Sequence, residues 1–233
     1  MPPARSSTPR ATIAPLLHES LGERVYRTVR DLILSQVFPP GSKLNVEQIC
    51  RDLGVSRTPV WDTMRRLESE GLVNTVPRHG VFVLNYGVDQ IRDLFAVRGA
   101  LEALAVRQAA QNLEPEARAG LEATMKDMER AAAAGEMEQY SRSAIEFHDR
   151  VLAAAQNRAL SRLLENVYAQ ILVLRLRSLY LPERVESSVA EHRELFEAVL
   201  AGDAERGERL ARAHADHVLQ DALEFTQRAE PDR

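Results

Sequence analysis

Apolar residues recur at helical spacing along most of this chain, and the rhythm breaks into short pieces only between residues 45 and 84. Val46, Ile49, Cys50 and Leu53 fall on one side of a helix that Asn45 can cap and Gly54 can close. A second helix follows at once. Ser56 is a good N-cap, Pro59 is tolerated in the first turn, and Val60, Met64 and Leu67 form an inward stripe at i, i+4 and i+7. Arg57, Trp61 and Arg65 then share a neighbouring outward stripe. Past Gly71 two β-branched runs, Leu72 to Val76 and Val81 to Leu84, bracket Pro77-Arg78-His79-Gly80, which predicts a β-hairpin. Beyond Gly87 the period is helical throughout. Helices are expected over Val88 to Asn112, Glu114 to Ala134, Met137 to Ala155, Arg158 to Tyr180, Pro182 to Ala201 and Ala204 to Arg228. Breakers or caps separate them at Pro115, Gly135, Asn157, Pro182 and Gly202-Asp203. There is no internal repeat and no strand pattern after Leu84.

Two short helices joined by a tight turn, followed by a hairpin, suit the major groove of DNA. In a helix-turn-helix the residues near the start of the second helix reach base edges, and here those are Arg57 and Thr58, with Trp61 and Arg65 further along the outward stripe. A basic hairpin tip, Arg78, His79 and Gly80, is placed to touch phosphate or the minor groove. The segment Leu21 to Tyr86 resembles the winged helix of GntR-type bacterial transcription regulators. The resemblance rests on Val55-Ser56-Arg57-Thr58-Pro59-Val60, on the run Arg65 to Val73, and on Gly80-Val81-Phe82-Val83. That family commonly has arginine where this chain has Trp61. An indole offers one N–H donor and an apolar plate that can meet a thymine methyl, or it simply packs at the edge of the domain.

The formal net charge of −4 suits a DNA binder only once it is divided along the chain. Residues 1 to 85 carry 11 Lys and Arg against 8 Asp and Glu, whereas residues 86 to 233 carry 19 against 26. A basic small domain beside an acidic larger one keeps phosphate attraction local. No apolar run approaches the roughly 20 residues needed to span a bilayer. The Pro-, Ser- and Arg-rich start lacks the apolar core of a secretory signal, so a cytoplasmic address is expected. The one cysteine, Cys50, lies on the inward side of its helix and is expected to be a buried thiol. The domains expected are a disordered arm over 1–18, a winged helix over 19–86, a helical effector-binding and dimerisation domain over 87–228, and a tail over 229–233. The fold class is mainly α: a winged helix-turn-helix with a small β-hairpin wing, then an antiparallel all-α bundle.

Three histidines, His148, His192 and His214, each lie on a different expected helix. Neutral imidazoles converging inside a bundle can hold a divalent metal. This half resembles the FadR C-terminal ligand-binding domain, over roughly Ile91 to Thr226. The resemblance, in which the pair Phe147-His148 marks the first histidine, implies that His148, His192 and His214 are the metal-binding positions and that Arg98 and Glu102 belong to the effector site. Metal-binding members add an aspartate four residues before the first histidine, and here that position is Ala144. Glu146 and Asp149 point elsewhere around the helix. A three-histidine site for zinc or a nickel-like ion, completed by water or by an effector carboxylate, is therefore expected. His217, three residues after His214, is a further candidate for the same cavity, and Arg175 and Arg177 are further candidates for gripping a carboxylate.

No G-x-S-x-G, Gly-rich phosphate loop, C-x-x-C or H-E-x-x-H occurs, so no enzyme is expected. The function expected is a homodimeric regulator that binds double-stranded operator DNA, probes no membrane, and acts as a repressor released by a small organic acid. Two alternatives stay open: a metal-dependent hydrolase built on the three histidines, and a DNA-binding dimer with no effector.

Overall fold

A computed structural model describes residues 20–174 and 182–229 of the 233. Arg175, Arg177, His18, the N-terminal arm and most of the tail lie outside these residues. The chain begins with α1 (Leu21–Leu34), whose first turn is capped by the Ser20 hydroxyl accepting from the Glu23 amide. Then come a short strand β1 (Lys43–Leu44), α2 (Val46–Leu53) and α3 (Arg57–Ser69). The Asn45 side chain caps α2, and Gly54 closes it at φ 64°, in the left-handed region that favours glycine. Ser56 stands at the N-cap of α3 without a side-chain bond to it.

The hairpin is β2 (Val73–Val76) and β3 (Gly80–Val83), paired antiparallel with Val76 opposite Gly80. The sheet has a third member that the pattern did not reveal: β1 pairs with β3, giving the order β1-β3-β2. Two residues are too few to carry an alternation. The core of this unit contains Val29, Ile33, Val60, Met64, Leu67 and Leu72, all fully buried. It also contains Ala169 and Val173, which come from far along the chain. Cys50 departs from expectation, being only partly buried, with its sulfur 3.8 Å from the Ser56 carbonyl oxygen.

Six further helices follow among the described residues: α4 (Val88–Gln111), α5 (Pro115–Ala133), α6 (Met137–Ala154), α7 (Arg158–Leu174), α8 (Pro182–Leu200) and α9 (Ala204–Ala229). Their buried residues form one bundle core around Phe147, Leu121, Met128, Leu164 and Leu195. α4 and α9 approach most closely where side chains are smallest. A methyl group on Gly207 would lie 2.7 Å from Val106, and one on Gly99 would lie 3.3 Å from Ala215. The second contact matters for the site, because Gly99 follows Arg98 and Ala215 follows His214.

α7 belongs to both halves. The Gln170 amide donates to the Glu70 carbonyl at 2.9 Å and accepts from the Tyr86 hydroxyl at 2.9 Å. The Tyr86 hydroxyl also lies 2.8 Å from the Gly71 carbonyl oxygen, so its single proton is shared between the two acceptors, and Gln36 donates to the Val173 carbonyl at 3.1 Å. The winged helix is thus bolted to the bundle by buried apolar contact and by paired backbone carbonyls.

Candidate metal and effector site

α6, α8 and α9 bring His148, His192 and His214 together, with one ring nitrogen from each within 4.8 Å of the others. His192 and His214 are buried, and the His148 side chain is 17% exposed. The Nδ1 atom of His192 lies 2.7 Å from the Ser188 carbonyl oxygen, which can only accept, so Nδ1 carries the proton. Its Nε2 then presents a lone pair, which accepts from His148 Nε2 at 3.2 Å. His214 Nδ1 donates to Glu191 Oε2 at 2.7 Å, which fixes the ring with its Nε2 edge turned away from that carboxylate. A carbonyl and a carboxylate orienting ligating imidazoles through their far nitrogens is the support that metal sites use.

Arg98 and Glu102 stand one turn apart on α4, both buried, and are joined at 2.8 Å. Tyr168 of α7 donates its hydroxyl to the same oxygen, Glu102 Oε1, at 2.8 Å. That oxygen is 3.8 Å from His148 Nδ1. Glu102 Oε2 is buried with no hydrogen-bond partner among the described residues. Burial raises the Glu102 carboxyl, but the Arg98 guanidinium and the nearby imidazoles overcome this and hold it at about 2. Burial pushes His148 down to about 4 and His192 well below the ordinary histidine range. Both imidazoles are therefore neutral at pH 7, the form that ligates.

These residues fit a divalent metal: two imidazoles held neutral, a third anchored through its far nitrogen, a buried carboxylate oxygen without a partner beside them, and, among the described residues, Arg98 as the cation in their midst. Ala144 lines the same cavity one turn before His148 and offers no ligand atom. Among the described residues the carboxylate nearest to His148 is instead Glu102, from a different helix. Glu191 and Tyr168 escaped the sequence reading, since nothing in their spacing ties them to histidines on other helices. His217 does not join the three. Its side chain is 56% exposed and its Nδ1 bonds Glu191 Oε1 at 2.9 Å.

On the other domain the outward stripe of α3 is open to solvent. The Arg57 side chain is 73% exposed and pairs with Glu47 at 2.7 Å, and Arg65, 74% exposed, pairs with Asp62 at 2.8 Å. Thr58 is exposed, and Trp61 is 37% exposed at the margin of the core. At the wing tip Arg78 adopts φ 65° and Gly80 φ 113°, while His79 Nδ1 donates to the Pro77 carbonyl at 3.0 Å. Lys43 of β1 lies against Gly80, close enough that a methyl group there would be 2.9 Å from its Cε. It adds a cation to the wing that the sequence reading did not include.

Residues 21–83 match the gntR family of bacterial regulatory proteins, and residues 93–217 match the FCD domain. The chain is 30% identical over 193 residues to the HTH-type transcriptional regulator YdhC of Bacillus subtilis, covering 82% of this chain and 86% of that protein. It is 22% identical over 209 residues to the HTH-type transcriptional repressor RspR of Escherichia coli, covering 90% and 92%. The solved structure of E. coli McbR/YncC superposes with a TM-score of 0.73 at 21% identity, covering 90% of this chain and all of that one. The relatives are DNA-binding regulators rather than enzymes, with repressors among them. With a gntR-type winged helix ahead of an FCD bundle, the chain belongs to the gntR family of transcription regulators.

Proposed function

We propose that this regulator binds operator DNA as a two-fold homodimer and is released from it by a small carboxylic acid held, with a divalent metal, at the histidine cluster. The observation that carries the reading is the convergence of three imidazoles, two of them anchored by Ser188 and Glu191, in the cavity that the buried Arg98 also lines. His148, His192 and His214 would hold zinc or a nickel-like ion, and Arg98 would grip the acid's oxygens with its planar fork. A bound metal supplies a positive centre with positions open to water or carboxylate oxygen. Because Ala144 leaves a ligand position empty of protein atoms, Ala144→Asp should tighten metal binding.

Arg57, Thr58, Trp61 and Arg65 would enter the major groove, with Arg78, His79 and Gly80 on the backbone or minor groove beside it. Dimerisation is supported by the face of α4 turned away from the bundle, where Val97 and Leu104 are 50% and 39% exposed. Each recognition helix of a two-fold dimer meets an equivalent half-site. Work on DNA and the absence, among the described residues, of a helix able to cross a membrane suit a regulator acting in the cytoplasm.

The hydrolase alternative finds no counterpart among the relatives, which are DNA-binding regulators, and the carboxylates bonded beside the histidines are largely engaged. Glu191 is tied to His214 and His217, and Glu102 to Arg98 and Tyr168. The effector-free alternative is separated by experiment. Protein purified without chelator is assayed for metal, and its melting temperature is followed with a panel of organic acids, with and without that metal. Near-stoichiometric metal and an acid-dependent rise in melting temperature support the proposal. No metal uptake on titration, together with no acid-induced shift, would leave a DNA-binding protein without a sensor.

A further inference from the structure

The cation that β1 adds to the wing follows a defined course. Lys43 lies opposite Phe82 across the β1–β3 pair, and Phe82 lies opposite Asn74 across the β2–β3 pair. Residues paired in this way share a face of the sheet. Leu44, Val73, Val81 and Val83 take the other face and are buried, so Lys43, Phe82 and Asn74 form a row on the outward one. From that row the Lys43 side chain runs along the sheet towards the hairpin turn. A methyl group on Gly80 would stand 2.9 Å from its Cε and 3.7 Å from its Nζ, and the Phe82 ring centroid is 6.0 Å from Nζ. Gly80, at φ 113° and without a side chain, leaves the space that the lysine occupies.

The place of Lys43 in the chain connects the wing with the helix-turn-helix. It stands two residues before Asn45, the cap of α2, and Glu47 in the first turn of α2 is joined to Arg57 at the start of α3 at 2.7 Å. The openings of α3 and α2, Lys43 and the wing tip therefore follow one another across one side of the domain. A recognition helix in the major groove and a wing beside the minor groove are separated by one sugar–phosphate strand, and a group between them meets phosphate oxygens. Arg57 and Arg65 each share their charge with a carboxylate, Glu47 and Asp62. Lys43 is exposed, and among the described residues no carboxylate is paired with it.

We propose that Lys43 is a phosphate contact, its ammonium engaging the DNA strand that runs between the groove taken by α3 and the backbone met by the wing tip. This rests on the operator-binding reading above and adds to it a residue that holds the duplex in register without reading a base. Phe82 and the bare Gly80 restrict the lysine stem before DNA arrives, so less rotamer freedom is lost on binding. A phosphate contact carries no sequence information, so its contribution is the same for every duplex and falls as salt rises.

The test uses the full chain with two duplexes, one from upstream of the gene and one of random sequence, and follows binding by fluorescence anisotropy over a range of salt. Lys43→Gln should weaken both by the same factor and lower the slope of log affinity against log salt by about 0.9 for each Lys43 that meets a phosphate. Lys43→Arg should keep the parent slope, and neither variant should shift the melting temperature, because the side chain is exposed. Acetylation gives an independent reading, since the chain's lysines are Lys43 and Lys126, the latter exposed on α5 of the bundle. With saturating DNA, labelling of Lys43 by an acetylating reagent should fall while that of Lys126 stays. An unchanged slope in Lys43→Gln, or equal labelling of Lys43 with and without bound DNA, would overturn the inference and leave operator binding intact. Failure of the parent chain to bind either duplex would instead remove the operator-binding reading on which it stands.

Discussion

Tyr168 donates its hydroxyl to the buried Glu102 carboxylate at 2.8 Å, while the next residue, Ala169, is buried in the core of the winged helix. One turn of α7 therefore touches both the candidate effector site and the DNA-binding unit. Rotation or translation of this helix cannot alter one without disturbing the other, because close-packed cores have discrete arrangements rather than continuous ones.

Tyr168→Phe keeps the ring and removes a donor from a buried carboxylate whose other oxygen already has no partner. The loss should be about 1–3 kcal/mol, more than for a surface hydrogen bond, because a desolvated charged acceptor is left undersatisfied. Urea unfolding of the variant and the parent chain checks it. Identical midpoints and slopes would mean that the bond contributes nothing to the fold.

Gly71 has φ 72°, and a methyl group there would lie 2.9 Å from the Gln170 amide. That amide has little freedom to yield, being held by the Glu70 carbonyl and the Tyr86 hydroxyl. Gly71→Ala should cost about 1–3 kcal/mol from backbone strain and the clash together. Combining it with Gln170→Ala should relieve the clash but not the strain, so the double variant should lose less than the two single losses added. Denaturation of all four proteins measures the coupling, and strict additivity would contradict the contact.

Arg57→Ala breaks only an exposed pair with Glu47, which is worth ~0–1 kcal/mol to the fold. The melting temperature should barely move. If the guanidinium reads a base edge, specific DNA binding should weaken by about 1–3 kcal/mol. Fluorescence anisotropy with DNA from upstream of the gene checks this, and an unchanged affinity takes Arg57 out of the interface.

The metal-free protein should lose stability on mild acidification. Burial lowers His148 to about 4 and His192 well below its ordinary value, whereas in the unfolded chain both protonate near 6.5. Below about pH 6.5 the unfolded state binds more protons than the folded one. The stability from keeping these rings neutral is thus complete above that pH and drains away as the pH falls towards about 4. For His148 alone the loss is on the order of 3 kcal/mol. Glu102, lowered to about 2, is ionised in both states above the ordinary carboxylate range and contributes no slope there. Melting curves of chelator-treated protein between pH 8 and 5 test the sign. A flat profile would show that the imidazoles are not held neutral, and His148→Gln should flatten the slope in part.

Local chemistry was enough to read the helix-turn-helix. Asn45 and Gly54 bound α2, and Val60, Met64 and Leu67 turn one stripe of α3 inward, because caps and periodicity act between residues a turn apart. The wing followed from β-branched runs around a turn, and the three histidines stood out as single residues on separate helices. What only the tertiary structure decided involves residues with no fixed separation along the chain. β1 exists because β3 pairs with it, since two residues carry no pattern of their own. The carboxylate beside His148 is Glu102 on α4 rather than a neighbour on α6, and the group orienting His214 is Glu191 on α8. The seam expected at Gly87 divides the chain in sequence but not in packing, since Ala169 and Val173 complete the winged-helix core. Periodicity tells which face of a helix is buried. Which partner buries it is decided when close packing, as at Gly99 against Ala215, sets how deep each helix sits.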